Sequence, residues 1–160
     1  MKIAQAPIFV YGTLTSPQVV RTLLGRTVAL QFPPARLSGY SRHSVKNFVY
    51  PGMIPSNNDD SPQRQEVHGC LLENLSHLEM KLLNWFEGDE YERRLVKVST
   101  NDDILIDAHA YIWKSHLLEE LNLQEEWCYE TFCKEHLEWY LENTVRPCRR
   151  EMEDLGMTKP

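Results

Sequence analysis

At 160 residues the chain can bury the core of one domain and is short for two. Charged residues make up 25% and hydrophobic ones 42%, a balance that excludes wholesale disorder. Seventeen basic against 23 acidic side chains give a net charge of −6 with no Lys/Arg stripe, which argues against nucleic acid or an anionic membrane as the main partner. In chain order, Ile8, Phe9 and Val10 after Pro7 are β-prone and apolar and predict a short buried strand. Gly12 then allows a positive φ or a close backbone approach. A helix follows, with Ser16 as N-cap, Pro17 in the first position, Val20, Leu23 and Leu24 on one stripe, and Gly25 to close it. The corner Tyr11, Gly12, Thr13, Leu14 and Thr15 thus presents backbone N–H groups beside a helix N-terminus, an arrangement that can hold an anion. The alternative is an ordinary turn.

Arg26 to Gln31 is expected to be extended, and Ala35 to Tyr40 to form a strand with Gly39 as a bend. Phe48-Val49-Tyr50 reads as a short strand ending at Pro51-Gly52, and the polar run Ser56 to Gln65 as a surface loop. Val67 to Glu73 returns to strand character. Ser76-His77-Leu78-Glu79 has the form of a capping box, with Leu75 and Met80 placed for a hydrophobic staple. The helix it opens repeats apolar residues at Leu78, Leu82, Trp85 and Phe86, and Gly88 can terminate it. Glu87 falls at that helix's C-terminus, where the helix dipole and partial burial both make a carboxylate a stronger base. The alternative is a solvated residue among Asp89 and Glu90.

Tyr91 to Ser99 and Asp107 to Trp113 alternate and are joined by Asn101-Asp102-Asp103, which predicts an antiparallel hairpin. Tyr129, Phe132, Cys133, His136, Leu137, Tyr140, Leu141 and Thr144 form the most regular helical stripe, with Cys133 and His136 read as core residues. Pro147 is expected to stop that helix at Arg146 and leave a loosely held tail carrying Arg146, Arg149 and Arg150. These elements suggest one domain over residues 1–146 with a tail over 147–160. The fold class is α+β: a mixed, mostly antiparallel sheet curled into a small barrel and flanked by three helices.

Cys70, Cys128, Cys133 and Cys148 show no disulfide framework, which points to a reducing compartment. Cys128 and Cys133 lie about 140° apart on a helix, so no metal site is expected. Ala4-Gln5-Ala6 resembles a signal cleavage site, but no apolar stretch of adequate length precedes it, and no run approaches the roughly 20 apolar residues of a membrane span. A cytoplasmic protein is the expectation. No Walker A loop, G-x-S-x-G elbow, dinucleotide fingerprint or H-E-x-x-H helix is present, so no cofactor is expected. What remains is an anion-binding corner and one oddly placed glutamate, a pairing suited to moving a proton between nitrogen and oxygen. No second titratable group stands out beside Glu87.

Val10-Tyr11-Gly12-Thr13-Leu14 and, about seventy residues later, Asn84-Trp85-Phe86-Glu87-Gly88 with Tyr91-Glu92-Arg93-Arg94 together resemble the γ-glutamylcyclotransferase-like superfamily, and within it the AIG2-like branch. Tyr50-Pro51-Gly52 resembles its glycine turn, Ala110 to Trp113 its late strand, and Glu125 to Glu138 the C-terminal helix of AIG2-like proteins. The resemblance implies the fold and a reaction in which a γ-glutamyl amino acid or γ-glutamylamine cyclises, releasing 5-oxoproline. It implies Glu87 as general acid/base and Tyr11, Gly12, Thr13, Leu14, Thr15 and Tyr91 around the small-molecule substrate. The alternative function is a non-catalytic binding or regulatory protein that keeps the pocket.

Overall fold

The computed structural model describes residues 5–26, 32–56 and 65–159. The expectations for 27–31 and 57–64 lie outside the described residues. Strand β1 (Ile8–Val10) leads through a 3₁₀ turn (Thr13–Thr15) into helix α1 (Pro17–Leu24). Ser16 Oγ accepts from the N–H of Val19 at 3.4 Å, and Gly25 closes the helix at φ 70°. Strands β2 (Pro34–Ser38), β3 (Tyr40–Val45), β4 (Pro51–Pro55) and β5 (Glu66–Leu72) come next. Helix α2 (His77–Glu87) is followed by the long strands β6 (Tyr91–Thr100) and β7 (Leu105–Trp113). The last elements are β8 (Leu121–Glu126) and helices α3 (Tyr129–Glu135), α4 (Leu137–Tyr140) and α5 (Arg146–Asp154).

Five strands close a barrel in the order β1-β5-β2-β6-β7, and the seam between β7 and β1 is parallel, with Ile8 opposite His109. The other barrel pairings are antiparallel. Strands β4, β3 and β8 form a second, antiparallel sheet. Alternation along β1 divides its side chains between two cores. Phe9 joins Leu37, Val67, Leu71, Val98 and Ala110 inside the barrel, while Ile8 and Val10 meet the helices through Val20, Leu23 and Leu83. Burial on both faces is why this strand reads as an unbroken apolar run.

The capping box of α2 forms in full: Ser76 Oγ accepts from the Glu79 N–H at 3.1 Å, and Glu79 Oε1 accepts from the Ser76 N–H at 2.9 Å. Arg26 also donates to both Glu79 oxygens, so the start of α2 is anchored to the end of α1. Leu75 and Met80 pack in the same core. The buried face of the helix turns toward Met80, Leu82 and Leu83, which leaves Trp85 45% exposed rather than on the expected stripe. The predicted hairpin is present, with Tyr91 opposite Trp113 and Ser99 opposite Leu105.

Four expectations are corrected. Residues 48–50 are bends, and the strand begins only at Pro51, because Asn47 at φ 70° turns the chain after β3. Glu125 and Glu126, expected by resemblance to begin the C-terminal helix, instead end strand β8, and the helix starts at Tyr129. The chain after Thr144 is also helical. A π-helical turn (Leu141–Val145) leads directly into α5, and Pro147 lies in the first turn of α5, where proline is best tolerated. Met152 is fully buried, and Arg149 donates to the carbonyl of Leu23 at 3.0 Å, so α5 is seated on α1. His136, read as a core residue, interrupts the helices at φ −128° with its side chain 44% exposed.

Candidate active site

A cavity of about 430 Å³ opens where the end of β1, the 47–51 bend, the end of α2 and the last helices meet. Tyr11, Gly12, Thr13 and Leu14 form one wall, and Glu87 and Tyr91 form another. Thr15 is not on the lining; its hydroxyl is buried and has no hydrogen-bond partner among the described residues. The N–H groups of Thr15 and Ser16 bond back to the carbonyls of Gly12 and Thr13 at 3.0 and 3.1 Å. The donors of the corner that remain for a ligand are the first ones of the turn. Gly12 does not adopt positive φ: at φ −117° its requirement is the close approach of Pro51, whose Cγ and Cδ would stand 3.0 Å from an added Cβ.

The corner is braced from behind. Arg42 donates to the carbonyls of Tyr11 at 2.7 Å and His68 at 3.2 Å, with its guanidinium 5.5 Å from the Trp127 ring centre. Tyr11 donates its hydroxyl to the carbonyl of Tyr111, and Thr13 Oγ1 lies 3.2 Å from the Tyr140 hydroxyl. Tyr91 donates to the carbonyl of Pro51 at 2.6 Å and meets Trp113 edge to face. Its hydroxyl is therefore spent on holding the 51 bend against the cavity, and the ring is the part that can touch a ligand.

Helix α2 delivers Glu87 in its last turn, and Gly88 at φ 76° redirects the chain. Burial first, and the negative charge of Glu90 second, push the Glu87 carboxyl up to about 8. Glu90 is the titratable neighbour that sequence reasoning missed. The 3₁₀ turn Gly88–Glu90 supplies the reason for its proximity: with three residues per turn, positions three apart eclipse, so Glu87 and Glu90 face the same space. The Glu90 carboxyl is itself raised by burial and by Glu120, while Tyr50 favours its charged form. Sequence reasoning also missed the wall formed by Tyr140, Thr144 and Cys148. Their four-residue spacing continues the helical stripe, but an expected stop at Pro147 hid it. Among the described residues no group of three or more His, Cys, Asp or Glu is placed to hold a metal, and no helix is long and apolar enough to cross a membrane.

The two segments singled out in sequence thus share one cavity, and residues 8–129 match the profile of the family described as gamma-glutamyl cyclotransferase, AIG2-like. The chain belongs to this family. AIG2-like protein D of Arabidopsis thaliana is 34% identical over 154 residues, covering 95% of this chain and 92% of that protein. AIG2-like protein B of the same plant is 31% identical over 152 residues, covering 93% and 81%. A solution structure of another Arabidopsis thaliana protein superposes with a TM-score of 0.63 at 26% identity, over 97% of this chain and 95% of that one. A solved structure named gamma-glutamyl cyclotransferase shares the fold at a TM-score of 0.55 and 17% identity, over 68% and 66% of the two chains. The fold of this AIG2-like chain is therefore that of the γ-glutamyl cyclotransferases, with a mixed barrel and flanking helices.

Proposed function

We propose that this AIG2-like protein is a γ-glutamyl cyclotransferase that uses Glu87 as its general acid/base and needs no cofactor. The observation that carries the reading is the juxtaposition, in one cavity, of an enclosed carboxylate and an amide-rich corner 73 to 76 residues away in sequence. The substrate's α-carboxylate takes the N–H groups of Gly12 to Leu14, with Tyr91 closing the pocket by ring contact. Its α-ammonium then faces Glu87. A carboxyl held near 8 is matched to an α-amino group, whose ordinary pKa is roughly 8, so the proton moves with little cost in either direction.

The freed amine attacks the substrate's own γ-carbonyl carbon. A C–N bond forms, the carbonyl oxygen becomes an oxyanion, and ring closure gains from proximity. Glu87 returns its proton to the leaving nitrogen as the old C–N bond breaks, and the carboxylate so formed takes the second proton from the ring nitrogen and passes it to the departing amine, giving 5-oxoproline and an ammonium product. The free cysteines among the described residues suit a reducing, cytoplasmic setting.

The test is release of 5-oxoproline from γ-glutamyl amino acids and γ-glutamyl-ε-lysine. Wild-type protein is expected to turn over at least one donor, and Glu87→Gln to fall by about 10²–10⁴-fold with a thermal transition no lower than that of wild type. Equal, background release by both proteins would move the reading to a binding protein.

A further inference from the structure

The lining of the cavity contains two carboxylates, Glu87 and Glu90, and, among the described residues, no Lys, Arg or His. The nearby cations are turned elsewhere. Arg42 is committed to the carbonyls of Tyr11 and His68, and Arg93 reaches Asn84 Oδ1 at 3.4 Å outside the lining. Glu90 forms no ion pair among the described residues, and the Tyr50 hydroxyl lies within reach of its carboxyl. Beside it, Phe48 and Tyr50 stack with ring centres 5.1 Å apart, and the exposed Trp139 is part of the same lining.

An unpaired carboxylate next to aromatic faces attracts a cation by charge and by the ring quadrupoles. A carboxylate brought to the same place meets like charge and, among the described residues of the lining, no cation to compensate it. The amide corner can satisfy one carboxylate of a ligand, and the lining offers nothing comparable for a second.

We infer that Glu90, with Tyr50 and the aromatic mouth, is a specificity-determining group that selects γ-glutamyl donors whose leaving amine carries a positive charge over those whose leaving group is an amino acid. This rests on the cyclotransferase reading for its chemistry, but the preference is a property of binding and is measurable without turnover. Glu87 is a second sign that the cavity is built for a ligand: its half-buried carboxyl lines the space and makes no hydrogen bond among the described residues.

The experiment compares three probes by titration calorimetry and, in the same samples, by 5-oxoproline release. They are the γ-glutamyl amides of diaminobutane (cationic) and butylamine (neutral), and γ-glutamylalanine (anionic). The cationic amide is expected to bind about tenfold or more tightly than γ-glutamylalanine, with the neutral amide between them. Glu90→Gln should shrink that ratio at least about threefold, and Glu90→Lys should reverse it. Using a ratio cancels the effect either variant has on Glu87, which all three probes share. Preference for the cationic amide without 5-oxoproline supports the subsite and counts against the reaction. The inference is overturned if γ-glutamylalanine binds wild type as tightly as the cationic amide, if none of the three binds, or if both Glu90 variants keep the wild-type ratio.

Discussion

Glu87 is held in a place that disfavours its charge, and this has a consequence for stability that is separate from catalysis. Its folded pKa of about 8 lies above the ordinary carboxylate value of 4.5, so between those limits the native state binds more protons than the unfolded chain. The stability carried by the protonated form is fully present below about 4.5 and is lost as the pH rises through about 8. Glu87→Gln keeps the shape and removes the titration. We expect it to be nearly neutral at about pH 5 and to stabilise the protein by roughly 1–3 kcal/mol at about pH 9, the range typical of relieving an enclosed, unpaired polar group. Urea unfolding of both proteins at the two pH values measures this; equal pH dependence would place the carboxyl in ordinary solvent. On the proposed reaction, a site that is more stable without its acid is the usual trade between stability and activity.

At the scale of elements, α5 carries a fully buried side chain, Met152, and places Arg149 over the C-terminus of α1, where a cation complements the helix end. Met152→Ala should therefore cost about 2–4 kcal/mol in urea unfolding, as large-to-small changes in a core do. A loosely held tail would lose less than about 0.5 kcal/mol. The same element shows where sequence reading stops. Helices α1 and α2 were legible to their caps, because Ser16, Gly25, Ser76, Glu79 and Gly88 act within a few residues of their own position. Pro147 is equally local, and it misled because the π-helical turn before it is a property of how Tyr140 and Val145 pack, not of the residues around the proline. Strand β8 was missed for the converse reason. Leu121–Glu126 has only one buried side chain, Leu121, and owes its conformation to hydrogen bonding with β3. In the site, Glu87 and the corner at 11–14 were visible as motifs. Glu90, Tyr50 and Tyr140 were not read as site residues, since only tertiary contact brings them to the cavity.

For the molecule as a whole, the cavity is a junction and not a pit in one element. The barrel contributes the 11–14 corner and Tyr111, the second sheet's approach contributes residues 47–51, α2 and its 3₁₀ extension contribute 86–91, and the C-terminal helices contribute 139–148. The barrel's closure could be guessed only in outline, because the parallel seam between β1 and β7 joins strands about a hundred residues apart. A ligand seated at this junction touches every part at once, so its binding energy is shared by segments that otherwise open independently. At a concentration of about 100 times Kd, binding adds roughly 2.7 kcal/mol to any opening that releases the ligand, which slows amide exchange about a hundredfold. With a γ-glutamyl compound bound, we expect that slowing to appear together in residues 47–51, 86–91 and 139–148, as well as in the corner at 11–14. Hydrogen-exchange mass spectrometry resolves these stretches. Protection confined to the barrel, with the C-terminal helices exchanging as before, would mean that the wall formed by Tyr140, Thr144 and Cys148 is a neighbour of the site and not a part of it.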